Sequence, residues 1–203
     1  MLRNIIFDMG GVLFRYDPPH FIRKAGMEDE SDLKLLLDNI YFSKGWKKLD
    51  LGEFEEQDVY EQAIEKLPSH LHEIAHQLIF NWHDDLEPIE GMAQLIRLCK
   101  EKGLKIYLLS NASRLQANYW GRVPGSEYFD GTVVSAFEKM VKPSPAFFQL
   151  LLDRYDLKKE ECLFIDDLER NTKAAEAMGI RSFLFENDVE GLKQFILNNL
   201  DQE

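Results

Sequence analysis

The chain has 203 residues, enough to bury a sizeable core as one domain with an insertion or as two small domains. Against 24 Lys and Arg stand 36 Asp and Glu, a formal charge of −12. So acidic a surface argues against nonspecific binding to nucleic acid or an anionic membrane, and it requires any phosphate site to be locally positive. The two cysteines, Cys99 and Cys162, lack the spacing of a disulfide framework or zinc finger and read as small core residues. No apolar run reaches membrane-spanning length and the first strand leaves no room for a leader, so the expected location is cytoplasmic.

In chain order, the first element is the apolar run Ile5-Ile6-Phe7, which reads as a strand of a parallel sheet covered on both faces by helices. It delivers Asp8 to the carboxyl end of that strand, where open α/β sheets place their ligands. Gly10 and Gly11 follow, and both are expected to take positive φ and bring main-chain N–H groups close to an anion. Taken alone, the segment reads equally well as a strand-ending turn.

Residues 14–88 differ in character from what surrounds them. Pro18-Pro19 fits a helix start, and Leu33, Leu35, Leu36, Leu37 and Ile40 give a broad apolar face at helical spacing. The stretches from Phe54 to Leu67 and from Leu71 to Trp82 repeat that period, and no strand is evident. This is the pattern of an inserted all-helical cap, with Gly45 and Gly52 as candidate hinges.

From Glu90 the α/β rhythm resumes with an amphipathic helix, Met92 to Lys102, closed by Gly103. Lys105 to Leu109 is a second strand ending on Ser110-Asn111, residues 112–120 look helical, and 132–135 form a short β-like run. A helix from Pro145 to Tyr155 precedes a third strand, Leu163 to Ile165, that ends on Asp166-Asp167. A helix to Met178, a strand from Ser182 to Phe185 and a closing helix from Val189 to Leu200 complete the pattern. The fold class expected is α/β, a doubly wound, Rossmann-like and mostly parallel sheet, with residues 1–13 and 89–203 as core and 14–88 as cap.

Three strands thus end on polar residues: Asp8, Ser110-Asn111 and Asp166-Asp167. Parallel strands gather their carboxyl ends along one edge, so these residues converge however far apart in sequence they lie. Carboxylates from two strands suit Mg²⁺, a hard cation that prefers oxygen. Ser110 is placed to donate its hydroxyl to a phosphoryl oxygen, aided by the N–H groups of a following helix if one starts there. Each element has a plainer reading: Ser110 and Asn111 as helix caps, Asp166-Asp167 as a capped loop, Lys142 as a solvated charge. Those readings do not predict the joint occurrence of all of them in this order.

The residues resemble the haloacid dehalogenase-like hydrolases. Four signatures of that family stand in order: Asp8-Met9-Gly10-Gly11-Val12, Leu108-Leu109-Ser110-Asn111, Val141-Lys142-Pro143, and Phe164-Ile165-Asp166-Asp167-Leu168-Glu169-Arg170-Asn171. The resemblance implies that Asp8 is a nucleophile that becomes an aspartyl-phosphate. It implies Mg²⁺ held by the Asp8 carboxylate, the Gly10 carbonyl and Asp167, with Asp166 nearby or acting through water. Ser110, Asn111 and Lys142 are expected to bind the substrate phosphate, with Lys142 also neutralising the clustered acids. Asn111 and Asn171 are further expected to orient the loop and the metal carboxylates.

One departure stands out. Phosphatases of the family carry a second Asp two residues after the nucleophile, where it moves the proton of the leaving oxygen; here that position is Gly10. General acid–base help is worth about a hundredfold to ten-thousandfold, so turnover is expected to fall steeply from aryl phosphate to sugar 1-phosphate to sugar 6-phosphate. Asp17, His20 and Asp166 are the alternative proton carriers. Members with glycine at this position include phosphatases of sugar 1-phosphates such as α-glucose 1-phosphate, and the similarity extends to Ser110 through Leu115 and to Gly52-Glu53. The implied function is a Mg²⁺-dependent phosphatase of a small phosphorylated metabolite, with no specific protein partner inferred. The alternative is a catalytically weak phospholigand-binding or regulatory protein. In the cap, His20, Phe42, Trp46 and Lys47 are the candidates to face the substrate.

Overall fold

The computed structural model describes residues 1–200. Its centre is β1 (Asn4–Phe7), whose alternate side chains enter different cores. Ile5 and Phe7 join one apolar cluster with Met92, Leu95, Ile96 and Ile196, whereas Ile6 joins a second with Phe147, Phe148, Leu151 and Phe164. A strand buried on both faces needs helices above and below it, and the chain supplies them.

After β1 come five helices: α1 (Pro18–Lys24), α2 (Glu30–Leu36), α3 (Lys44–Asp50), α4 (Glu56–Ile64) and α5 (His72–Phe80). Their starts are chemically specified. Asp17, Asp29 and Ser43 each accept from main-chain N–H groups of the first turn, Pro18 and Pro19 open α1, and Glu55 with Asp58 forms a capping box on α4. A π turn, Leu37–Tyr41, extends α2, so that Leu33, Leu36 and Ile40 are buried while Leu35 and Leu37 are only partly so. The five helices pack around a cluster of their own that includes Ile22, Leu36, Ile40, Val59, Leu71 and Ile79. The chain enters and leaves this insert side by side: Arg15 N–H donates to Glu87 O, and Ile89 N–H to Leu13 O.

The remaining elements alternate. In order they are α6 (Met92–Glu101), β2 (Lys105–Ser110), α7 (Gln116–Tyr119), β3 (Gly131–Val134), α8 (Ser135–Glu138), α9 (Pro145–Arg154), β4 (Cys162–Asp166), α10 (Glu169–Ala177), β5 (Arg181–Leu184) and α11 (Val189–Leu200). All strand pairs are parallel, and the sheet order is β3-β2-β1-β4-β5. The chain therefore winds outward from β1 on one side through β2 and β3, then crosses to the other through β4 and β5. The carboxyl ends of β1 and β4 flank the crevice at which the winding reverses. Both cysteines are free and buried, as small core residues should be. No helix among the described residues is long and apolar enough to cross a membrane.

Two local expectations differ from what is found. Residues 112–115 are not helical, so Ser110 does not sit at a helix N-terminus; Ala112, Ser113 and Arg114 use their polar groups to bond Ser135, Glu56 and Glu55. Of the glycine pair only Gly11 has positive φ, 80°. Gly10 lacks a side chain for a different reason: a Cβ there would lie 3.0 Å from Cβ of Tyr16, which packs over it.

Candidate active site

Register places the first two carboxylates. Phe7 pairs with Ile165 and the Asp8 N–H donates to Ile165 O at 2.8 Å, so Asp8 and Asp166, one residue further along adjacent strands, stand level and on the same face. Between them lies Lys142, its Nζ 2.7 Å from Asp8 Oδ1 and 2.7 Å from Asp166 Oδ2. Asp167 completes a trio with Asp8 and Asp166 in which one carboxylate oxygen from each lies within 4.8 Å of the other two.

The four groups share one low-dielectric space, which acts on the ionisation of Asp8, Asp167 and Lys142. Burial, with repulsion from Asp166 and Asp167 added, pushes the Asp8 carboxyl up to about 7 despite the opposing pull of Lys142. Burial and the charge of Asp166 likewise raise Asp167 to about 6. Lys142 keeps its charge: burial works against it, but Asp8 and Asp166 together hold its ammonium above the ordinary lysine range. Three carboxylates against one ammonium leave an excess of negative charge that a hard cation would neutralise.

The supporting residues fix this geometry. Asn171 Nδ2 donates to both oxygens of Asp166, at 3.0 and 3.1 Å, and Leu168 N–H donates to Oδ1 at 2.8 Å. Asp166, fully buried, is thus occupied with Lys142, Asn171 and the main chain. Asp167 is half-buried and forms no side-chain ion pair among the described residues, which leaves it the more open ligand. Asn171 Oδ1 is buried without a partner, as expected if it accepts from water on a hydrated cation. Gly11 is required here, because a Cβ on it would run into the Asp167 carboxylate.

Ser110 ends β2, the strand next to β1, and is buried. Asn111 does something other than grip phosphate with its side chain: its Oδ1 accepts from Lys142 N–H at 2.8 Å and its Nδ2 donates to Lys142 O at 3.1 Å. It clamps the main chain that presents the ammonium.

The insert forms the roof. Ser113 Oγ donates to Glu56, Arg114 bonds Glu55 and the Gly52 carbonyl, and Ser135 Oγ donates to the Asp50 carbonyl at 2.6 Å. Gly52, at φ 65°, seats against the Ala136 carbonyl so closely that no Cβ would fit, which makes it a contact point and not a hinge. Gly45 lies inside α3, facing Gln62 of α4, and is no hinge either. An aromatic cluster fills the angle between insert and core, with the Trp82 ring meeting Tyr16 edge-on at 5.5 Å and Tyr119 edge-on at 5.4 Å between centroids.

Of the insert residues singled out by sequence, His20 bonds Glu87 at 2.9 Å, Trp46 is buried against Tyr41, and Phe42 and Lys47 are exposed. Sequence reasoning missed Tyr16, Tyr119 and Asp50. Asp50 carries the one available signal, a carboxylate between Leu49 and Leu51 beside the Gly52 turn.

Comparison with known proteins agrees with this geometry. A family model for haloacid dehalogenase-like hydrolases matches residues 2–179. A sesquiterpene phosphatase of Aspergillus oryzae is 31% identical over 179 residues, which are 86% of this chain and 85% of that protein. A D-ribitol-5-phosphate phosphatase of Bacteroides thetaiotaomicron is 22% identical over 210 residues, covering 98% of this chain and all of that one. Among solved structures, a HAD family enzyme of Bacteroides thetaiotaomicron, crystallised with magnesium and inorganic phosphate, superposes with a TM-score of 0.70 at 23% identity over 95% of this chain and 99% of that one. With a sheet of this order, carboxylates at the ends of β1 and β4, a lysine between them and a family match over most of its length, the chain belongs to the haloacid dehalogenase-like hydrolases.

Proposed function

We propose that the protein is a Mg²⁺-dependent phosphatase acting on a small phosphorylated metabolite through an aspartyl-phosphate on Asp8. The observation that carries this reading is the buried Lys142 shared by Asp8 and Asp166, with Asp167 completing a trio of oxygen ligands. The donor set is all oxygen and carries excess negative charge, Asn171 Oδ1 has no partner, and Gly11 leaves room where a side chain would block Asp167; each fits a hydrated hard cation. Asp8, Asp167 and the Gly10 carbonyl would hold it, with Asp166 reaching it through water. Mg²⁺ there supplies neutralisation of charge on the phosphoryl oxygens.

The chain's own groups do the rest. Asp8 attacks phosphorus, its charge balanced by Lys142. Lys142 and the Ser110 hydroxyl hold the transferring oxygens, and Asn111 keeps Lys142 in place. The two phosphatase relatives are those of a sesquiterpene and of D-ribitol 5-phosphate, small organic molecules of very different polarity. A sugar phosphate, including a sugar 1-phosphate, is our reading of the substrate class, supported by the Gly10 branch resemblance. Gly10 alone favours the second reading, a weak phospholigand-binding protein that lost its acid.

Purified protein and 4-nitrophenyl phosphate separate the two. Turnover that needs Mg²⁺ and vanishes in Asp8→Asn supports the phosphatase. Binding of phosphate without turnover in both forms supports the binding protein.

A further inference from the structure

The floor of the site contains a nucleophile, a phosphate grip and cation ligands, but no free group to give the leaving oxygen a proton. Gly10 has no side chain. Asp166 is fully engaged by Lys142, Asn171 and Leu168. Asp17 caps α1 and bonds Arg15 at 2.7 Å, and those contacts hold its carboxyl below the usual range although burial opposes them. His20 is tied to Glu87.

The roof offers one. Asp50 is the last residue of α3, and two fixed points seat it on the carboxyl edge of the sheet. Its carbonyl accepts from Ser135 Oγ at 2.6 Å, while the same hydroxyl accepts from Ala112 N–H at 2.9 Å, two residues after Ser110. Two residues on, Gly52 presses against the Ala136 carbonyl. The Asp50 carboxylate is half-buried and has no hydrogen bond or ion pair among the described residues. Burial raises the phenols of Tyr16 and Tyr119, and the negative charge of Asp50 acts in the same direction on both. Tyr16 is the residue that packs over Gly10, and Tyr119 feels Asp8 and Glu56 as well. The end of α3 is thus fastened to the segments that follow β2 and β3, at the same carboxyl edge of the sheet that carries Asp8 and Gly10.

We infer that Asp50, delivered by the helical insert, is the acid–base group that the missing side chain at residue 10 would otherwise supply. The inference rests on the phosphatase reading with Asp8 as nucleophile. In the first half-reaction the Asp8–phosphorus bond forms, the bond from phosphorus to the leaving oxygen breaks, and the Asp50 carboxylic acid gives its proton to that oxygen. In the second, the Asp50 carboxylate takes a proton from water as the water oxygen attacks phosphorus, releasing orthophosphate, Asp8 and a reprotonated Asp50. Burial without a cationic partner pushes the Asp50 carboxyl up to about 7, so acid and base forms are both accessible near neutrality. The proton supply exists only while the insert is seated, which ties the chemistry to enclosure of the substrate.

Rapid mixing of the 203-residue protein and its Asp50→Asn variant with Mg²⁺ and either 4-nitrophenyl phosphate or glucose 6-phosphate tests this. In the variant, the aryl ester should release one equivalent of nitrophenol quickly and then turn over slowly, because the aspartyl-phosphate waits for a base. With glucose 6-phosphate the variant should lose about a hundredfold or more relative to the native protein, the worth of acid–base help, and so fall off between the two esters far more steeply than the native protein does. Asp50→Ala, with added formate restoring activity toward glucose 6-phosphate, tests the same role through a second variant, and a native-like melting curve shows that each is folded. Unchanged turnover of glucose 6-phosphate in folded Asp50→Asn overturns the inference, as does an equal loss for both esters with no phosphoenzyme. If Asp8→Asn still forms phosphoenzyme, it is the parent reading that fails.

Discussion

On the floor of the site Lys142 bridges Asp8 and Asp166 with all three side chains nearly sealed from water, at 1%, 11% and 0% exposure. On the roof two of the polar contacts between insert and core are of another kind: Arg114 to Glu55 is a pair 34% and 61% exposed, and Ser113 to Glu56 is a single hydrogen bond. A buried pair cannot lose one partner cheaply, because the other is left charged in low dielectric. Exposed pairs contribute only about 0–1 kcal/mol each and re-form readily in water. The difference matches two duties: the floor must hold reacting atoms in fixed positions, and the roof must release to admit substrate and expel product.

The largest effect should come from breaking the floor. Lys142→Met removes the one cation among three carboxylates, and we expect activity to fall about a hundredfold to a thousandfold with a loss of about 3–5 kcal/mol in stability. Urea unfolding with and without Mg²⁺ checks this, since added cation should recover part of the stability. A variant as stable as the native protein without metal would mean that the carboxylates are neutral in the folded state and the floor is not charged as described.

Metal itself gives the next effect. With burial as the main cause, Asp8 is raised to about 7 and Asp167 to about 6, so in metal-free protein they retain protons that the unfolded chain has already lost. The folded state then binds more protons than the unfolded one between about pH 4 and pH 7, and stability falls as pH rises through that window. Saturating Mg²⁺ should remove this slope and add about 2.7 kcal/mol at a hundredfold excess over its dissociation constant. Melting curves from pH 4 to 8 with EDTA or with Mg²⁺ measure both; superimposable curves would exclude a cation between these carboxylates.

The same contrast explains what is legible in the sequence. Floor residues sit at the ends of apolar strands, and strand register carries Asp8 and Asp166 to one level whatever lies between them. The motif around Asn111 suggests a side-chain phosphate ligand and an orienting group alike, and does not show that both amide atoms meet the Lys142 main chain. Gly10 reads as a φ requirement and is a packing requirement, visible only once Tyr16 has folded back over it. Roof residues have no such frame. Asp50 reaches the core through its carbonyl and Gly52 through the close approach of its bare main chain, neither of which leaves a side-chain signature. Residues 112–115 give up a helical pattern to meet them.

A smaller effect should follow from unseating the roof at Gly52. Valine there meets two obstacles, a positive φ that β-branched residues rarely adopt and the Ala136 carbonyl in the space of its Cβ. The end of α3 must lift, displacing the insert by an ångström or so, which is enough to cost on the order of a hundredfold in kcat/KM. Unfolding of the sheet, followed by hydrogen exchange at Ile6 and Phe164, should be unaffected because those residues lie in a cluster separate from the insert. Weakened exchange protection throughout the sheet would show that insert and core do not behave as the separable floor and roof contrasted above.

Arg114→Ala should give the smallest change and the sharpest test of how the roof closes. The guanidinium joins Glu55 by an exposed ion pair and the Gly52 carbonyl by a 2.9 Å hydrogen bond, so it holds two points of the α3–α4 turn from the core side. Its bonds reach neither the carboxylate trio nor Lys142, so the chemical step in the closed state should keep its rate. What changes is the population of that state: losing about 1 kcal/mol shifts the equilibrium about fivefold toward the open form. If the closed form dominates when substrate is bound, KM rises by about that factor while kcat holds. Because one of the two contacts is an exposed ion pair, raising salt in the native protein should reproduce part of the same increase, and salt should have less effect on the variant. A fall in kcat with KM unchanged would place Arg114 in the chemistry and not in the latch, and would mean that the roof is as rigidly set as the floor.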